Sequence, residues 1–183
     1  MDTTPGANLE IKARCADLAA ARRVAEERAT ETVGVDEQTD TYFIVPHGRL
    51  KLRESSLSGG QLVPYLRPDQ PGPKRSDYQL VPVPDPPALK RLLAAILGVH
   101  RIVRKRREIF LVDNVRIHLD EVDGLGTFLE LEAVFDGRAD SLPEEQRKVD
   151  ALMAALGVRA EDLLEGSYEG LVGPPATPTP PGA

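Results

Sequence analysis

Several segments of this chain alternate between apolar and charged residues with a period of two. Residues 7–14 (ANLEIKAR) alternate in this way, and the pattern returns in residues 49–53, 115–120 and 129–133. Because successive side chains of a β-strand point to opposite faces, each segment is expected to be a strand with one apolar and one charged face. The alternation therefore predicts a chain dominated by antiparallel sheet.

Turn signals and apolar periodicity divide the rest of the sequence into further strands and a few helices. Strands are predicted over residues 7–14, 37–45, 49–56, 61–67, 76–83, 99–112, 115–122 and 127–135. Helices are predicted over residues 17–31, 88–97 and 143–156, with a short helical stretch at 160–164. About eight short antiparallel strands with a few helices make an α+β chain.

The domain organisation follows from length and proline content. Residues 1–6 are predicted to be a disordered arm and residues 7–172 a single domain, since 183 residues suit one core of ordinary size. Residues 173–183 (GPPATPTPPGA) are predicted to be a disordered tail, because proline has no amide donor and interrupts helices and ladders.

Composition excludes several classes of protein. One cysteine rules out an internal disulfide and a cysteine-based zinc cluster. No apolar run approaches the roughly 20 residues of a membrane span, and the first residues lack the pattern of a signal peptide. We therefore expect a cytoplasmic protein with no membrane partner. The formal net charge of −6 argues against a nucleic-acid partner.

The charged strand faces contain clusters of both signs. Their carboxylates are Glu10, Asp120, Glu130 and Glu132, and their cations are Lys12, Lys51, Arg53, Arg67, Lys105, Arg107 and Arg116. A charged face that is exposed to water would explain one such strand, but this explanation fits four strands with charged faces less well. If the sheet closes into a barrel with helices outside, the charged face lines a lumen. Carboxylates bind hard divalent cations, and Arg and Lys bind phosphate, so the lumen is expected to hold a polyphosphate with its metal.

These residues resemble the CYTH superfamily, which contains class IV adenylate cyclases and thiamine or inorganic triphosphatases. The E-x-E-x-K pattern of its first strand resembles residues 8–12 (NLEIK), and the basic pair of its third strand resembles Lys51 and Arg53. The most specific stretch is residues 105–132, with KRREIF, RIHLDEV and GLGTFLELE, while residues 65–78 resemble the CyaB-type cyclase branch. The resemblance implies an eight-stranded antiparallel β-barrel, the triphosphate tunnel, with flanking helices.

The resemblance also implies roles for individual residues. Metal ligands for Mg²⁺ or Mn²⁺ would be Glu10, Glu130 and Glu132. The triphosphate would be held by Lys12, Lys51, Arg53, Arg67, Lys74, Lys105, Arg107 and Arg116. Asp120 would be a further metal contact or a proton acceptor, and the catalytic candidates are Asp120, Lys12 and Arg116. Because cyclase relatives can form dimers, it stays open whether this chain forms a homodimer.

Asn8 departs from the family pattern, because it stands where the first hallmark Glu is expected. Its neutral amide removes one negative charge, so Mg²⁺ is expected to bind less tightly, and whether one or two ions bind stays open. His118 alternates with Arg116 and Asp120 and can face the lumen, although a structural hydrogen-bonding role is preferred.

Three functions follow from the resemblance. The cyclase-like segments favour an adenylate cyclase, which converts ATP into cyclic AMP and pyrophosphate. The first alternative is an inorganic or thiamine triphosphatase that hydrolyses the terminal phosphate of its substrate. The second alternative, suggested by Asn8, is a non-catalytic or repurposed protein that binds a phosphorylated metabolite. The expected partner in each case is a nucleoside triphosphate or another polyphosphate.

Overall fold

The computed structural model describes residues 4–70 and 72–173. Its strands are β1 (Thr4–Arg14), β2 (Glu31–Phe43), β3 (Arg49–Ser55), β4 (Gly59–Leu66), β5 (Lys74–Val83), β6 (Val99–Val112), β7 (Val115–Val122) and β8 (Gly126–Phe135). Its helices are α1 (Leu18–Arg28), α2 (Pro86–Leu97) and α3 (Leu142–Ala155), with 3-10 turns at Ala139–Ser141, Ala160–Asp162 and Tyr168–Gly170. The tail predicted for residues 173–183 lies outside the described residues beyond Gly173.

The strands form a closed antiparallel barrel in the order β1-β5-β4-β3-β2-β6-β7-β8. This confirms the predicted eight-stranded barrel with flanking helices. The register pairs Lys12 of β1 with Glu130 of β8, and Glu130 in turn with His118 of β7. Residues opposite each other on neighbouring strands share a face, so the charged faces meet on one side of the sheet.

Five strands begin earlier than the sequence predicts, and the difference is largest for β1 and β2. Residues 4–6, assigned to the disordered arm, belong to β1 because their backbone pairs with β5, whereas residues 1–3 lie outside the described part. β2 begins at Glu31 rather than at residue 37, because it pairs with the long strand β6 from that point. The register shifts between Thr32 and Gly34, where Gly34 has a φ of 122°, a conformation that glycine adopts without steric cost.

The apolar faces of the strands pack against the helices outside the barrel. The main core joins Leu9, Ile11, Ile117, Leu129 and Leu131 of the barrel to Ala21 and Ala25 of α1 and Val149 and Leu152 of α3. Each large buried aliphatic side chain contributes about 1.5–3 kcal/mol relative to an exposed one. This outward packing directs the charged faces inward. In the described part of the chain, no helix is long and apolar enough to cross a membrane.

The chain after α3 crosses one end of the barrel, and we call residues 163–172 the closing segment. Leu163 forms a bridge to Ala13 of β1, and the amide of Leu164 donates to the carbonyl of Lys12 at 2.8 Å. Arg101 of β6 donates to the carbonyl of Val172 at 3.0 Å. A second apolar cluster beneath this segment contains Tyr42, Val103, Val122, Phe128 and Tyr168. The lumen is therefore closed where β1 ends and accessible where β1 begins.

Candidate active site

A cavity of about 440 Å³ occupies the lumen and is lined by inward-facing residues of all the strands. Of the residues predicted for the site, it brings together Glu10, Lys12, Lys51, Arg53, Arg67, Lys105, Arg107, Arg116, Glu130 and Glu132. Among the other lining residues, which the site prediction did not include, are Asn8, Asp36, Gln38, Asp40, Tyr42, Tyr65, Tyr78, His118 and Tyr168. The volume and the density of charge suit a small polyanion.

Asp40 collects three of the lumen cations and was missed in the sequence. Its carboxylate, 1% exposed, accepts hydrogen bonds from Arg53 at 2.7 and 2.8 Å and from Lys51 and Lys105 at 3.1 Å. Burial would raise the pKa of Asp40, but the Arg53, Lys105 and Lys51 charges hold it well below its usual value. β2 carries polar residues on both faces, so its alternation did not mark Asp40.

Lys105 carries a perturbed charge at the centre of this group. Burial lowers the pKa of Lys105 to about 7. The Asp40 charge raises this pKa in part, whereas the Arg107 and Arg53 charges lower it further. A fraction of the Lys105 side chains is therefore neutral near pH 7. A bound phosphate would favour the charged form, because an opposite charge nearby raises the pKa of an amine.

Asp120 is on the inward face of β7 with Arg116 and His118, but it lies below the cavity lining, where it contacts Tyr168 and holds Arg107. Arg107 donates to both oxygens of Asp120 at 2.7 and 2.6 Å, and the Tyr168 hydroxyl donates to the second oxygen at 2.8 Å. Burial would raise the pKa of Asp120, but the Arg107 charge outweighs it, so Asp120 is ionised. Both oxygens of Asp120 thus accept hydrogen bonds that hold Arg107 and Tyr168 in place, and its predicted role as metal contact or proton acceptor stays a prediction.

Lys74, which is predicted for the triphosphate cradle, contacts the closing segment. It is the first residue of β5 and is buried, but it does not line the cavity. Its ammonium donates to the carbonyls of Leu164 at 3.0 Å and Glu165 at 2.9 Å. Burial and the Arg67 charge lower the pKa of Lys74 to about 8. The contacts assign Lys74 to anchoring the closing segment.

Two ion pairs join β1 to its surroundings. Lys12 lies 2.7 Å from Glu130 and 4.4 Å from the ring centre of Tyr168, while Arg67 pairs with Glu10. Burial raises the pKa of Glu10 in spite of Arg67. Burial would raise the pKa of Glu130 as well, but Lys12 and Arg107 hold it well below its usual value. These carboxylates thus differ in basicity although both line the lumen.

His118, Glu130 and Glu132 place their ligand atoms within 4.8 Å of one another. Nδ1 of His118 is buried without a hydrogen-bond partner, and its nearest carboxylate oxygens lie 3.7 Å away on Glu130 and 4.0 Å away on Glu132. The structural hydrogen bond expected for His118 is therefore absent at this atom. Two carboxylates and one imidazole nitrogen fit a divalent metal ion, and the Asn8 side-chain oxygen is also buried without a partner.

Apolar side chains surround the open end of the lumen, away from most of the cations. Ile109 and Leu111 continue the inward face of β6 beyond Lys105 and Arg107. Val33, Leu57 and Leu80 line the same end of the cavity, together with the polar side chains of Ser58 and Gln61. The lumen can thus receive a ligand with an anionic chain and a less polar head.

Comparisons with known proteins place this geometry among relatives. A family model for the CYTH domain matches residues 7–168. The chain is 27% identical over 147 residues to the adenylate cyclase CyaB of Aeromonas hydrophila, covering 74% of this chain and 72% of that protein. A protein from Pyrococcus horikoshii has a similar structure, with a TM-score of 0.71, 25% identity, and coverage of 91% of this chain and 99% of that one. A proposed adenylate cyclase from Vibrio parahaemolyticus has a TM-score of 0.74 at 21% identity, with 90% and 96% covered.

Proposed function

Because this chain belongs to the CYTH domain family, we propose that it is a metal-dependent enzyme that converts ATP into cyclic AMP and pyrophosphate. The observation that carries this proposal is the division of the lumen into a cationic interior, closed at one end, and an open end lined by apolar side chains. Similarity to the adenylate cyclase CyaB of Aeromonas hydrophila supports the choice of reaction.

The lumen would bind the triphosphate through cations that are already held in place. Asp40 fixes Lys51, Arg53 and Lys105, so their positive groups need little rearrangement when an anion enters. Since the closing segment blocks the far end, the phosphate chain would enter first and the nucleoside would remain beside the apolar residues of the open end. A substrate with a nucleoside therefore uses more of this cavity than inorganic tripolyphosphate does.

In the proposed reaction, the ribose 3′-hydroxyl attacks the α-phosphorus and pyrophosphate leaves. Arg107 and Lys12 would neutralise the charge that develops on the departing phosphates. A metal ion held by Glu130 and Glu132 would polarise the phosphate oxygens when bound. Glu10 lines the cavity and would accept the hydroxyl proton, because burial raises the pKa of its carboxyl above the usual value.

Product analysis tests this proposal. The protein is incubated with ATP or tripolyphosphate, each with Mn²⁺ and Mg²⁺, and the products are separated by ion-exchange chromatography. From ATP, we expect cyclic AMP and pyrophosphate in equal amounts. Arg53→Met should lower kcat/KM by about 100-fold, because it removes a cation that lines the cavity and is held in place by Asp40, whereas Arg159→Met, at an exposed side chain, should leave it unchanged.

Other products would identify the alternatives. Phosphate released from both ATP and tripolyphosphate, without cyclic AMP, would make the protein a triphosphatase. Binding of ATP without turnover would make it a phosphorylated-metabolite binder and would reject the cyclase.

A further inference from the structure

His118 is a lumen residue that the phosphate-binding role of the cavity does not explain. It lies directly opposite Glu130 in the β7–β8 register, and Arg116 lies opposite Glu132 in the same pair of strands. Facing residues on neighbouring strands hold their Cβ atoms about 4.5–5.5 Å apart. The backbone therefore places the imidazole beside both carboxylates.

The distances between these side chains are too long for hydrogen bonds and suit a shared ion. Nδ1 of His118 lies 3.7 Å from Glu130 and 4.0 Å from Glu132, and the residue is only 4% exposed. Two ligands of one octahedral ion, each with a bond of about 2.1 Å, lie about 3–4.2 Å apart. A buried nitrogen without a partner, aimed at two carboxylates across such a gap, points to an ion.

We propose that His118, Glu130 and Glu132 form a mixed nitrogen and oxygen site that binds a divalent transition-metal ion, such as Mn²⁺, in preference to Mg²⁺. The proposal rests on the metal dependence included in the proposed function. Mg²⁺ favours a shell of oxygen ligands and gives up its waters reluctantly, whereas imidazole is a good ligand for transition metals. The histidine thus adds a metal preference that carboxylates alone would not provide.

The cations around the site leave room for such an ion. Lys12 and Arg107 contact Glu130, but a carboxylate offers about four lone-pair positions, so further ligation is available. Arg116 lies 3.6 Å from Glu132 and is partly exposed, so its side chain is free to move away when an ion binds.

Pulsed EPR of the full chain loaded with Mn²⁺ and no nucleotide tests the proposal directly. We expect a ¹⁴N coupling of an imidazole type in the wild-type protein. His118→Gln should remove this coupling, and the double variant His47→Gln/His100→Gln should keep it, because both of those histidines are exposed and lie outside the lumen lining. Because His118 is the one histidine left in the double variant, a coupling that persists there comes from His118, and the metal site itself is unchanged.

Affinity measurements by calorimetry supply the second readout. His118→Gln should weaken Mn²⁺ binding by about tenfold and change Mg²⁺ binding by less than about threefold, because only the transition metal gains from the nitrogen. Absence of Mn²⁺ binding, Mn²⁺ binding without ¹⁴N coupling, or a coupling that survives in His118→Gln would overturn the proposal.

Two further controls keep the outcome clear. If circular dichroism shows that His118→Gln does not fold, the wild type and the His47→Gln/His100→Gln variant still decide the ligand. Intact ¹⁴N coupling in a protein that makes no cyclic AMP would contradict the proposed reaction alone, whereas cyclic AMP formation without the coupling would contradict the metal site alone.

Discussion

At the scale of the residue, one buried carboxylate organises much of the charge in the lumen. Asp40 faces Arg53 across the β2–β3 pair and reaches Lys105 on the other neighbouring strand, β6. Cations brought this close repel one another, and Asp40 offsets that repulsion while leaving the cations at the cavity wall. The site is therefore arranged before a polyanion arrives.

Asp40→Asn should destabilise the protein strongly. The neutral amide removes the counter-charge of the buried Lys105 and of the half-buried Lys51 and Arg53, and breaking a buried ion pair by removing one partner costs about 3–5 kcal/mol. Urea unfolding measures the change. The exposed Asp77→Asn, which breaks only a surface pair with Arg75, should cost less than about 1 kcal/mol. Equal effects of the two substitutions would contradict this role of Asp40.

Binding of tripolyphosphate should depend on pH through Lys105. The pKa of this side chain is about 7, so a rise in pH through that value removes one positive charge and weakens binding. Lys105→Arg stays charged, and dividing the wild-type Kd by the variant Kd cancels the titration of the ligand. Calorimetry should show this ratio rising by about tenfold between about pH 6 and pH 9. A ratio of the two Kd values that does not change with pH would mean that Lys105 is not the group whose charge controls binding.

At the scale of the element, the closing segment turns an open barrel into a cavity with one entrance. Its contacts reach β3 through Glu169, which accepts from Arg49 at 2.8 Å, and β5 through the Lys74 ammonium. Tyr168 inserts into the second apolar cluster and also donates to Asp120. One short segment therefore both seals the lumen and supports the position of Arg107.

Substitutions at Tyr168 should separate these two tasks. Tyr168→Phe removes the hydrogen bond to Asp120 and should lower the free energy of unfolding by about 1–2 kcal/mol. Tyr168→Ala also removes the ring that packs on Phe128 and underlies Lys12, and should cost about 3–5 kcal/mol. Urea unfolding measures both values. Similar losses in the two variants would mean that the ring contributes little to the closed end.

At the scale of the whole molecule, net charge and local charge have opposite signs. The chain carries a formal charge of −6, yet the cavity is lined by Lys and Arg from several strands. Closure of the barrel separates these cations from the acidic surface. An anion small enough to enter the lumen therefore meets a positive electrostatic field, whereas a large anion meets the field of the acidic surface. The proposed partner is therefore a short polyphosphate that fits inside.

Thermal unfolding should distinguish the two kinds of anion. Tripolyphosphate at 100 times its Kd stabilises a protein by about 2.7 kcal/mol, which should raise the Tm by roughly 5–10 °C for a chain of this size. Single-stranded DNA at the same phosphate concentration should leave the Tm unchanged, because it cannot enter the lumen. A comparable rise with DNA would indicate binding to the outer surface.

Much of the fold and part of the candidate site could be predicted from the sequence, because period-two alternation is a property of the local backbone. The alternation alone predicts which side chains of β1, β3, β7 and β8 share the charged face that points inward. The ends of β1 and β2 could not be predicted in this way, since their first residues are ordered by pairing with β5 and β6.

The sequence by itself determined the strands and the kinds of charge on their faces, because both depend on alternation along each strand, and closure into a barrel was expected from the family resemblance. Only the tertiary structure decided which side chains meet. Asp40 lies 65 residues from Lys105, and Tyr168 lies 48 residues from Asp120. Strand register and the path of the closing segment bring these pairs together, and for that reason Asp120 lies behind Arg107 while His118 lies beside two carboxylates.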